Sequence, residues 1–147
     1  MARRRFGLMG CLLSAVLRMQ TKHASCLCGG VRIEIEGAFV RATHCHCSMC
    51  RKSHGAAFAT YGTVKADRVK ITAGEELITR YASSPGVARW FCSRCGSNLR
   101  WFSEKHADLF EVPYGLLDDD PQTKPSMHIF TQYKAPWYDI ADALPQK

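Results

Sequence analysis

Seven of the eight cysteines in this 147-residue chain fall into three tight clusters, and their spacing limits the possible folds more than any other feature. Cys26 and Cys28 stand in "CLCGG", Cys45, Cys47 and Cys50 in "CHCSMC", and Cys92 and Cys95 in "CSRCGS", with Cys11 apart from all of them. Spacings of C-x-C and C-x-x-C suit a metal ion, whereas a disulfide framework would leave an odd thiol over. "CSRCGS" has the form of a knuckle: its turn brings two thiolates to one ion, and Gly96 lets backbone N–H groups approach the sulfurs without a side-chain clash. A knuckle supplies two ligands, and a structural zinc ion takes four. "CLCGG" is the natural complement, because Gly29 and Gly30 permit a bend beside Cys26 and Cys28 at the start of a strand. Cys26, Cys28, Cys92 and Cys95 are therefore expected to close a tetrahedral zinc site that pins the beginning of a sheet to its middle.

"CHCSMC" has no fourth cysteine beside it. Three thiolates at Cys45, Cys47 and Cys50 can wrap one face of a zinc ion and leave one position exchangeable, which is the arrangement of a catalytic site. His44, His46 or His54 are the side chains that could close the shell instead. A histidine between two ligands usually points away from the ion, which gives His46 a surface or supporting role, and His54, a turn beyond Cys50, is also a candidate acid–base group. Three thiolates on a divalent ion carry one net negative charge, which weakens its Lewis acidity and favours exchange of a soft ligand such as another thiolate.

The rest of the chain reads as one domain. "VRIEIEG" alternates Val31, Ile33 and Ile35 with Arg32, Glu34 and Glu36, the period of a half-buried strand. Short runs of similar kind recur at "AAFATYGTV", "RVKITAG", "ELITRYA", "ARWFC", "LRWFS", "DLFEVPYGLL" and "MHIFTQY", separated by turn-forming residues. No amphipathic helical stretch of a dozen residues follows Met19. The expected class is mainly β: short antiparallel strands organised as a sandwich or barrel around the structural zinc, with a second zinc site beside it.

Residues 1–18, "MARRRFGLMGCLLSAVLR", form a basic and apolar extension, read as a start-site extension or a signal-like segment, with residues 19–147 as the single zinc-binding domain. Its apolar run is too short to span a bilayer, and thiolate ligands fit a reducing compartment. The expected location is cytoplasmic, with export or anchoring as the minor alternative. Of the net charge of +7, four units come from Arg3, Arg4, Arg5 and Arg18, and the remaining +3 is a weak footprint for nucleic acid.

With these motifs in place, the chain resembles the glutathione-dependent formaldehyde-activating enzyme family, which also contains centromere protein V. The resemblance runs through "CLCGGVRIEIEG", "CHCSMCRKSHGAAFATYGTV", "FCSRCGSNL" and "HIFTQYKAPWYDIADALPQ". It implies a β-rich fold, the β-tent, with two zinc ions: a structural one on Cys26, Cys28, Cys92 and Cys95, and a catalytic, more labile one on Cys45, Cys47 and Cys50. It also implies a carbon–sulfur lyase that joins formaldehyde to glutathione as S-hydroxymethylglutathione, or opens the adduct. In that reading His54, His46 or water handles the proton, and Arg51 and Lys52 clamp the glutathione carboxylates, although a basic pair in this position is also what a solvated turn would carry. Phe58, Tyr61, His128 and Trp137 read as core residues. The alternatives are a non-catalytic zinc scaffold that binds a thiol, a protein or nucleic acid, and a redox protein in which "CHCSMC" cycles between thiol and disulfide.

Overall fold

A computed structural model describes residues 20–147, so the 1–18 extension and Cys11 lie outside the described residues. Among the described residues, alternating apolar patterns produce ten strands: β1 (Thr21–Ser25), β2 (Arg32–Glu36), β3 (Arg41–Cys45), β4 (Ala59–Lys65), β5 (Val69–Ala73), β6 (Ile78–Ser84), β7 (Val87–Cys92), β8 (Asn98–Ser103), β9 (Leu109–Pro113) and β10 (His128–Ile129). One α-helix, α1 (Ser48–His54), interrupts them. The strands form a three-stranded sheet ordered β1-β2-β5 and a seven-stranded sheet ordered β10-β3-β4-β9-β8-β7-β6. Pairing is antiparallel except for β10, which runs parallel to β3 and sets His128 opposite His44. The mainly β class expected from the sequence is what the chain adopts, as two stacked sheets.

The inter-sheet core follows from the period of two along each strand. In β2, Ile33 and Ile35 are buried. They pack with Val64, Leu99, Phe110 and Val112 of the large sheet in one apolar cluster, which drives the two sheets together. β4 is buried on both faces. Its Val64 points into that cluster, whereas Ala59 and Tyr61 belong to a second cluster with Cys45 and Cys50. The large sheet thus has one face against the small sheet and the other against α1 and the "CHCSMC" loop.

The expectation that Cys26 and Cys28 start a strand needs adjusting. They follow β1 and sit in its connection to β2. The cysteines of "CSRCGS" close β7 and form the turn into β8, so the four-cysteine cluster joins two sheets rather than two parts of one sheet. β1 and β3, which carry polar residues on their open faces, are strands that hydropathy alone does not mark.

Gly62 of β4 is required for space. A Cβ there would lie 2.2 Å from Cε1 of Tyr114 and 2.6 Å from Cδ1 of Phe39, two aromatic rings packed edge to face. Gly62→Ala is expected to destabilise the fold by about 1–3 kcal/mol through overpacking, read as a lower urea midpoint with an unchanged denaturant slope; an unchanged midpoint would show that the rings yield freely.

Candidate metal centres and the cleft between them

The first cluster is built by two turns. The four sulfurs of Cys26, Cys28, Cys92 and Cys95 lie within 4.8 Å of one another, with Cys26 to Cys28 at 3.5 Å and Cys28 to Cys92 at 3.9 Å. A tetrahedron of zinc–sulfur bonds of about 2.3 Å has edges of about 3.8 Å, so this spacing fits one zinc ion. In the first turn the Val31 N–H donates to Cys26 Sγ at 3.2 Å, and in the knuckle Gly96 takes the positive φ of 76° that turns the chain, with its N–H on the Cys92 carbonyl at 2.8 Å. A hydrogen bond with the Ser97 hydroxyl, and another from the Ser97 backbone, holds the Cys95 thiol down to about 5. Ser97 also accepts the Leu27 N–H through its hydroxyl at 2.9 Å, which stitches the two turns together.

The second cluster is built by a helix start. Cys45 ends β3, Cys47 is the N-cap of α1, and Cys50 lies in its first turn, where the i, i+3 spacing puts both sulfurs on one side. The Cys50 N–H donates to Cys47 Sγ at 3.3 Å, so the sulfur acts as the capping acceptor that Ser or Asp would otherwise supply. Gly55, in the left-handed region, ends the helix one turn after Cys50, with its N–H on the Arg51 carbonyl. The three sulfurs lie within 4.8 Å of one another. Sulfurs this close cannot ionise independently. Hydrogen bonds with Cys45 and Cys50 hold the Cys47 thiol far below its ordinary value, while the same contacts with Cys47 and Cys50 push Cys45 far up. A divalent ion removes this conflict by displacing the remaining protons, so both donor sets fit zinc or another thiophilic metal.

Arg89 of β7 is a further charged group at this centre. It is 6% exposed, and its Nη1 and Nη2 donate to Cys50 Sγ at 3.9 and 3.8 Å. Along the sequence Arg89 stands with Arg94 and Arg100 among scattered bases. Arg100 also differs from a surface base, because its guanidinium lies over the rings of Trp90, Phe102 and Phe110. Strand alternation carries the signal that was available. Trp90 and Cys92 face the main core, so Arg89 has to face the other way, but the sequence does not say what waits there.

A cleft of about 460 Å³ lies against α1 and β7, and its lining includes Met49, Lys52 and Ser53 of α1, Arg89 and Phe91 of β7, and Gly96 of the knuckle, but none of the described cysteines. Lys52 therefore stands on the cleft. Arg51 is half-buried and does not line it, and its Nε is enclosed without a partner. His54 is packed at the end of α1 with its Nε2 2.9 Å from the Tyr61 hydroxyl, and burial followed by the charge of Arg89 holds it below its ordinary value.

His46 does not join the sulfurs. It is fully buried, and its Nε2 lies 2.8 Å from Nδ1 of His128, whose Nε2 lies 3.1 Å from both carboxylate oxygens of Asp142. The Leu144 N–H, then His128, holds Asp142 below the usual carboxylate range, so it is an acceptor. With a neutral His128, its Nε2–H donates to Asp142 and its Nδ1 accepts from His46. The unpartnered His46 Nδ1 is then a lone pair rather than a stranded proton. His128 is a core residue as expected, whereas Trp137 is 71% exposed and is not.

A family model for the glutathione-dependent formaldehyde-activating enzyme matches residues 21–133. A Halomonas elongata protein is 29% identical over 125 residues, covering 80% of this chain and 80% of its own length. A Talaromyces marneffei protein is 34% identical over 95 residues, covering 63% of this chain and 48% of its own. Both are named, provisionally, as glutathione-dependent formaldehyde-activating enzymes. The crystal structure of a Rhodobacter sphaeroides protein superposes with a TM-score of 0.57 at 27% identity, covering 68% of this chain and 92% of that one.

Metal analysis tests the two centres. About two zinc ions per chain are expected, with the three-sulfur site surrendering its ion to a chelator first. Cys92→Ala is expected to lower the thermal midpoint by more than about 10 °C, because it unties the two sheets, and Cys47→Ala by less than about 4 °C. Equal losses in the two variants would mean that both clusters are structural.

Proposed function

This chain belongs to the glutathione-dependent formaldehyde-activating enzyme family, and from that premise we propose that it is a zinc-dependent carbon–sulfur lyase that forms or opens S-hydroxymethylglutathione. The observation that carries the reading is the three-sulfur cluster, which has no fourth protein sulfur among the described residues and stands beside a cleft through Arg89 and α1. Zinc on Cys45, Cys47 and Cys50 would supply a soft position at which a thiol is favoured as its thiolate. The four-sulfur site would serve the fold.

The chain's own groups then have separable tasks. With zinc bound, Arg89 would offset the negative charge on Cys50. Lys52, on the cleft, attracts a glutathione carboxylate, and Arg51 beside it adds to the same field. As sulfur adds to formaldehyde, a carbon–sulfur bond forms, the carbonyl π electrons move to oxygen, and that oxygen takes a proton while the thiol has given one up. His54 is the group proposed to balance this transfer, through the Tyr61 hydroxyl to which it is hydrogen-bonded. Burial keeps His54 neutral and able to accept a proton near neutral pH, and pushes the Tyr61 hydroxyl far up, so it stays protonated. The reverse sequence of the same transfers opens the adduct. Among the described residues no helix is long and apolar enough to cross a membrane.

Exchange NMR with ¹³C-formaldehyde and glutathione measures interconversion above the uncatalysed rate. The wild-type protein is expected to accelerate it, Cys47→Ala to abolish the acceleration, and His54→Gln to lower it by about 10²-fold with the metal content intact. A wild-type rate equal to background would overturn the lyase reading.

A further inference from the structure

Arg89 is a buried charge that no carboxylate balances among the described residues. None of the ion pairs among the described residues includes it. A guanidinium at 6% exposure is costly to hold without a negative partner, and the group its two nitrogens meet is Cys50 Sγ. Its place is fixed by the sheet, since it sits directly across from Tyr81 on β6 and Trp101 on β7's other neighbour, β8. Tyr81 lines the cleft, and Trp101 packs against the cluster of Cys45, Cys50 and Tyr61. Arg89 is thus the positive group shared by the metal centre and the cleft, and the cleft has Lys52 and no acidic residue in its lining.

Three thiolates on a divalent ion carry one net negative charge, so a fourth, anionic sulfur would have to bind against repulsion. We propose that Arg89 determines which ligands the three-sulfur centre accepts: its fixed positive charge on Cys50 Sγ offsets the excess negative charge and so favours an anionic thiolate arriving from the cleft over a neutral donor. The inference rests on the thiol-site reading given above and assigns the selectivity to a residue that is not itself a metal ligand. Hydrogen bonding and charge make different demands here. A glutamine keeps N–H donors and loses the charge, and a lysine keeps the charge and loses the paired donors.

The test uses the full chain loaded with cobalt in place of zinc, whose visible spectrum reports ligand exchange at the open centre. 2-Mercaptoethanol, which binds as a thiolate and has no carboxylate to engage Lys52, is titrated in parallel with imidazole, a neutral donor. Arg89→Gln is expected to weaken 2-mercaptoethanol by at least about tenfold and imidazole by less than about twofold, and Arg89→Lys to restore most of the difference. Arg89→Met repeats the comparison without donors. Equal weakening of both probes would mean that Arg89 is merely structural, and unchanged thiol affinity would mean that its charge is irrelevant; either overturns the assignment, as does loss of the second metal from every Arg89 variant. A wild-type protein that binds imidazole but no thiol removes the thiol-site reading and this assignment together, whereas a thiol affinity that survives Arg89→Gln removes the assignment alone.

Discussion

Cys26 and Cys28 come from the β1–β2 connection of the small sheet and Cys92 and Cys95 from the β7–β8 turn of the large one, and among the described residues no strand ladder runs between those two sheets. Apolar burial presses them together without fixing their register, because hydrophobic contact is not directional. Four sulfurs on one ion are directional. The cluster sets the position of β7, and Arg89 and Cys92 lie three residues apart on that strand. An error in docking the knuckle would therefore reach the cleft directly.

The large sheet separates structure from chemistry by its pleat. Alternate residues of β4 and β7 turn one way into the inter-sheet core and the other way toward α1 and the three sulfurs. The site consequently rests on a rigid, doubly packed surface, although two of its ligands come from the N-cap and first turn of a seven-residue helix that would be marginal alone. The C-terminal segment adds a second support. β10 pairs with β3 beside Cys45, the His46 N–H donates to the Ile129 carbonyl at 3.0 Å, and Asp142 anchors His128, which in turn anchors His46 between two ligands.

Much of this was legible in the residues. The division of seven cysteines into a four-sulfur and a three-sulfur group follows from C-x-C and C-x-x-C spacing, because ligands a few residues apart can reach one ion with little help from the rest of the chain. The strands of alternating Ile33 and Ile35, and of Trp90 and Cys92, are visible for the same local reason. Hydropathy misses β1 and β3, whose order comes from partners: β1 pairs along its whole length with β2, and β3 with β4. Trp137 reads as core on side-chain type, but it is exposed on the C-terminal tail.

Arg51, Lys52 and Arg89 mark the boundary most clearly. All three are basic residues in an ordinary sequence context, yet Lys52 meets the cleft, Arg51 is half-buried beside it, and Arg89 is buried against Cys50 from 39 positions away. The histidine pair spans 82 positions. Sequence alone determined the donor chemistry, the grouping of the ligands and the β character, since each depends on neighbours along the chain. Only the tertiary structure decided which sheets the first cluster joins, which charge faces the second, and where the cleft opens, because burial and Coulomb interaction depend on distance in space.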